Sequence, residues 1–174
     1  HMVRNTLKLP EGKKPLVISF DDVNYYPYML DEGFTSKLVV GEDGETHHGV
    51  FDIAYLGAVP GMTVWCPASL REAADMLHQA LYGETGPVAL RYPRGGEGAY
   101  QADSGRENLA VLREGGDITL CAYGTMVNNV LDAAELLAQQ GISARVVKIN
   151  AISPLYDRDM REVIGKTKAM LVAE

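Results

Sequence analysis

The stretch ITLCAYGTMVNNVLDAAELLAQQGISARVVKIN, Ile118 to Asn150, decides the fold class. ITLCAYG and ARVVKIN are short β-rich runs without alternation, as strands covered on both faces require. Between them the spacing predicts a helix from about Met126 to Gln139, with Gly141 as its C-terminal cap. Strand, helix, strand in that order is the unit of a parallel α/β layer. Downstream, a helix from about Asp157 to Gly165 and a strand in AMLVAE repeat the alternation. Residues 118–174 are therefore expected to form one parallel α/β unit.

The same alternation extends upstream. PLVISF, Pro15 to Phe20, reads as a buried parallel strand ending at Asp21 and Asp22. After an irregular stretch, MTVWCP (Met62 to Pro67) reads as a strand closed by proline. Ser69 and Glu72 form an S-x-x-E capping box. Leu70, Ala73, Ala74, Leu77 and Leu81 then follow at helical spacing as far as Gly83. PVALRYPRG (Pro87 to Gly95) is a strand with arginines toward its carboxyl end. Gly95 to Asp117 is rich in glycine and charge and reads as an interdomain linker. The expected fold is α/β: two small parallel-sheet units, residues 1–94 and 118–174, joined by residues 95–117.

Composition removes several functions. A net charge of -7 and a pI near 5.1 lack the basic footprint that nucleic-acid binding needs. No apolar run reaches the roughly 18 residues of a membrane span. Cys66 and Cys121 lie far apart in apolar runs with no CxxC spacing, so they are expected to be buried free thiols in a reducing, cytoplasmic setting.

Chemistry concentrates in GEDGETHHG, Gly41 to Gly49. Gly41, Gly44 and Gly49 permit a tight loop. Asp43 and His47 can bring a carboxylate and an imidazole to one small polar substrate, the imidazole moving a proton and the carboxylate orienting it. A plain solvated turn fits the same spacing. Only adjacency recommends His48, and His78 falls within a capped helix and reads as structural. Arg94, between a proline and two glycines at a strand end, suits bidentate capture of a phosphate, although a surface salt bridge would use it equally well. Arg91, in strand phase, reads as structural. Asp21 and Asp22 could hold a divalent ion, but no H-x-x-x-H partner accompanies them. Neither a G-x-S-x-G elbow, nor G-x-G-x-x-G after a strand, nor a Walker loop occurs.

GEDGETHHGVFDIAYLGAVPGMTVWCPAS, GPVALRYPRGG, the stretch opening this section and AMLVAE together resemble the 1-deoxy-D-xylulose-5-phosphate synthases, a transketolase-type family of thiamine-diphosphate enzymes. The pairing of RYPRG with D-G-x-T-H-x-G carries the likeness. The resemblance implies condensation of pyruvate, after decarboxylation, with glyceraldehyde 3-phosphate, feeding isoprenoid precursor synthesis. It implies that Asp43 and His47 contact substrate and aid proton transfer, and that Arg94 anchors the aldehyde's phosphate. It further implies partial pyrimidine-binding and C-terminal domains. The family's G-D-G motif and later asparagine, which hold diphosphate and magnesium, have no counterpart here, so the chain is expected to bind no cofactor and to be inactive by itself. Residues 9–40 are similar instead to the opening of polysaccharide deacetylases, in which Asp21 and Asp22 would be catalytic and metal-binding. The expectation is therefore a fragment of such a synthase joined near Val39 to Gly41 to a foreign N-terminal segment, with a non-catalytic chimeric or engineered scaffold as the alternative and, less favoured, a deacetylase. Uncovered sheet edges predict a homo-oligomer.

Overall fold

The computed structural model describes residues 16–21, 51–93, 97–105, 107–164 and 167–173, with backbone alone for 16–21, Pro93 and Ile164. They form two four-stranded sheets. In the first, β1 (Leu16–Asp21) runs parallel to β3 (Val88–Pro93), in register from Leu16 opposite Val88 to Asp21 opposite Pro93. β2 (Thr63–Trp65) lies parallel on the other side of β3, and β7 (Ala151–Ser153) closes the sheet antiparallel to β2. In the second, β5 (Ile118–Ala122) lies between β6 (Ala144–Ile149) and β8 (Ala169–Ala173), all parallel, while β4 (Leu109–Arg113) pairs antiparallel with β6. The helices are α1 (Asp52–Gly57), α2 (Leu70–Tyr82), α3 (Met126–Gln139) and α4 (Asp157–Ile164).

The α/β class is as expected, but each sheet is mixed rather than wholly parallel. The antiparallel members are β4 and β7, both outside the strand–helix–strand repeats. β4 falls inside the expected linker, and residues 97–105 are also anchored. Leu70 N donates to Glu97 Oε1 at 2.9 Å, Ser69 Oγ donates to Ala102 O at 2.8 Å, and Tyr100 N donates to Asn128 Oδ1 at 2.8 Å. The segment is held by side-chain hydrogen bonds to α2 and α3, which leave no hydrophobic periodicity in its sequence.

α3 has the expected bounds. Val127, Val130 and Ala134 face Leu120, Ala122, Ala144 and Val146 in one core cluster. Gly141 follows the helix with φ +78°, the left-handed conformation a glycine adopts without strain. On the opposite face of this sheet, Cys66, Leu109, Cys121, Tyr123, Val147 and Ile149 pack with Met160 and Val163 of α4. Both cysteines are buried free thiols. Gly115 marks a close backbone approach, since a Cβ there would lie 2.2 Å from the Ala144 carbonyl carbon.

α2 begins and ends where expected, with Ser69 Oγ accepting from Glu72 N at 3.1 Å and Gly83 as its cap. Its face differs. Leu70 and Leu81 are exposed, whereas Glu72 and Ala80 are buried. The helix brings a carboxylate to the interior beside the half-buried Ala73, Met76 and Leu77, and the reason lies in β6.

Candidate functional site

Asp43, His47 and Arg94 lie outside the described residues, as do His48 and Asp22. Their flanks are described. The loop ends at α1, whose first residue is Asp52, and Arg94 follows directly on β3. Asp52 is 1 % exposed and Arg91 8 %, and Arg91 Nε donates to Asp52 Oδ2 at 2.8 Å. Asp52 Oδ1 accepts from Ile53 N at 2.8 Å. The Arg91 guanidinium carbon lies 5.7 Å from the centre of the Tyr123 ring, at the carboxyl end of β5, a cation–π arrangement. An ion pair thus joins the start of α1 to β3. Arg91 is structural, as expected; Asp52 is a partner that spacing does not disclose.

A second polar centre lies between the sheets. Glu72, at the start of α2, receives five donors: Ala68 N at 2.8 Å, Lys148 Nζ at 3.0 Å, Tyr100 OH at 3.0 Å, Ser104 N at 3.0 Å and Ser104 Oγ at 2.8 Å. Lys148, on β6, is wholly buried and also donates to Asn150 Oδ1. Asn150 Nδ2 donates to Glu107 O at 2.8 Å, and Asn150 O accepts from Cys66 N at 2.9 Å. Burial pushes the Glu72 carboxyl up, but the Ala68 amide, the Lys148 charge and the Ser104 hydroxyl together outweigh it and hold the group below its ordinary range. Burial, with Glu72 nearby, pushes Tyr100 up to about 12. This network explains the turn of α2: a buried lysine requires a carboxylate. Neither Lys148 nor Asn150 carries a local signal.

A cavity of about 110 Å3 adjoins the network, lined by Trp65, Glu72, Asp75, Met76, Asp103 and Glu107 among others. Its carboxylates repel a phosphate, so it does not suit a phosphorylated substrate. Among the described residues no group of three His, Cys, Asp or Glu is placed to hold a metal ion. His78 is an exposed helix residue with its ring 4.8 Å from that of Tyr82.

Residues 34–96 match the transketolase pyrimidine binding domain, and residues 107–174 match the transketolase C-terminal domain. The chain belongs to the transketolase family. A 1-deoxy-D-xylulose-5-phosphate synthase of Chlorobium luteolum is 44 % identical over 124 residues, which are 67 % of this chain and 19 % of the relative. The chain thus spans about a fifth of the length of the curated relatives it matches. Among solved structures, a split-gene transketolase described as an inactive beta4 tetramer is 31 % identical, with a TM-score of 0.61 over 74 % of this chain and 44 % of its own. The transketolase of Campylobacter jejuni, 22 % identical, shares the fold with a TM-score of 0.69 over 91 % of this chain and 24 % of its own. The chimeric and deacetylase readings gain no support. The transketolase match starts at residue 34, upstream of the expected junction.

Proposed function

We propose that the chain supplies the substrate-facing side of a 1-deoxy-D-xylulose-5-phosphate synthase site. The Asp52–Arg91 ion pair supports this reading: it ties the start of α1, which follows Asp43 and His47 in sequence, to β3, which precedes Arg94. In it, the planar fork of Arg94 holds the phosphate of glyceraldehyde 3-phosphate. His47 donates a proton toward the aldehyde oxygen, and Asp43 orients the imidazole or a substrate hydroxyl. Among the described residues no cluster of His, Cys, Asp or Glu is placed to hold magnesium. Thiamine diphosphate, when bound, supplies the carbon nucleophile, and a second domain or chain holds it.

In this reading β1 to β3 form the pyrimidine-type unit and β4 to β8 the C-terminal-type unit, with β7 returned to the first sheet. Copies of the chain associate, consistent with the relative described as a tetramer and with the exposed Met170, Leu171 and Val172 on β8. The free thiols fit a cytoplasmic setting. No described helix is long and apolar enough to cross a membrane.

Calorimetric titration with D-glyceraldehyde 3-phosphate tests the reading. Saturable binding is expected, weakened about 30-fold in Arg94→Met by loss of charge-assisted hydrogen bonds. Equal affinity in the variant, or no binding by the natural chain, contradicts it.

A further inference from the structure

We propose that the cleft between β4 and α4, on the face of the second sheet away from α3, binds a small apolar monocarboxylate, and that the buried guanidinium of Arg145 receives the acid group. The proposal is independent of the synthase reading, because none of its residues belongs to that site.

Three observations carry it. Arg145 is the second residue of β6, and alternation along the strand turns it to the same face as Val147 and Ile149, the face that α4 covers. Its charge is only partly met. Nη1 donates to Glu114 Oε2 at 2.6 Å, but the Glu114 side chain is 75 % exposed, so water screens the pair. Nε is the one buried side-chain nitrogen or oxygen among the described residues that has no hydrogen-bond partner. A guanidinium keeps its charge on burial, and a buried charged donor left without an acceptor is costly. Finally, Arg145 lines a cleft of about 860 Å3. Leu109, Val111 and Val163 give that cleft an apolar wall for a hydrocarbon body. Glu107, Asp159 and Glu162 also border it, and Arg158 there is already bonded to Asp159 at 3.2 Å. Those carboxylates oppose a dianionic phosphate more strongly than a monoanion. A carboxylate carries one charge and offers two oxygens to the Nε edge of the fork, which Glu114 leaves free. Because Nε is shielded from bulk water, seating the acid entails a small turn of the guanidinium about its Glu114 bond.

The test titrates the 15N-labelled 174-residue chain with 3-phenylpropionate and follows the Arg145 Nε–H resonance, assigned by its loss in Arg145→Lys. A saturable shift with Kd of about 1 mM is expected. Binding of the uncharged 3-phenylpropionamide and of inorganic phosphate is expected to be at least about tenfold weaker. Arg145→Lys, which keeps the charge without the fork, is expected to weaken binding of the acid about tenfold. Replacement of a buried arginine can unfold the chain, so Glu114→Gln, at an exposed position, supplies a second arm. It removes the competing carboxylate and is expected to tighten binding about threefold. The proposal is overturned by an Nε–H resonance unmoved at about 50 mM acid, by equal affinity for the amide, or by Glu114→Gln without effect on affinity. Tighter binding of phosphate than of the acid overturns the carboxylate assignment.

Discussion

Glu72 and Lys148 illustrate how a residue's local role can conceal its tertiary one. The S-x-x-E spacing locates the start of α2, and Ser69 does accept from the Glu72 amide. The Glu72 carboxylate, however, reaches past the cap to Ala68 N and across to Lys148. That second role was illegible because Lys148 lies in a run whose other members are apolar, and its partner is distant in the chain. Since the folded Glu72 pKa lies below its unfolded value, about 4.3, its contribution is complete above that value and is lost as pH falls through the lower folded one. The midpoint of urea unfolding is therefore expected to decline below about pH 4.5, with part of that decline absent in Glu72→Gln. At pH 7 the same variant, which leaves the Lys148 ammonium buried without its anion, is expected to lose about 3 kcal/mol. An unfolding midpoint unchanged at pH 7 would show that the pair is replaceable.

Among elements, those built on apolar periodicity were legible and those built on pairing or side-chain bonds were not. α3 and β6 are read directly from VNNVLDAAELLAQQ and ARVVKI. β4 was hidden because LAVLR lies between glycine-rich, charged segments, and its antiparallel partner β6 is remote in sequence. β7 has only the residues Ala151–Ser153 and exists because β6 runs through Asn150 into the neighbouring sheet. The packing of α3 on its sheet has a direct test. Leu120 is 3 % exposed within that cluster, and Leu120→Ala is expected to destabilise the chain by about 3 kcal/mol in denaturant unfolding. A loss well under about 1 kcal/mol would mean that this interface collapses without cost.

At the scale of the whole molecule, the two sheets are joined by the passage from β6 to β7 and by the Glu72–Lys148–Asn150 network. The family was legible from RYPRG and the D-G-x-T-H-x-G loop, since those motifs are local. The Asp52–Arg91 pair was not, because it is made only when strand and helix meet. One measurement tests most directly whether this chain carries half of a divided synthase site. The purified chain is mixed with a separately produced diphosphate-binding domain of a 1-deoxy-D-xylulose-5-phosphate synthase relative, with thiamine diphosphate, magnesium, pyruvate and glyceraldehyde 3-phosphate. Formation of 1-deoxy-D-xylulose 5-phosphate in the mixture, with none from either component alone, is the expected result. A complex that forms and yields no product, or product from this chain alone, would contradict it.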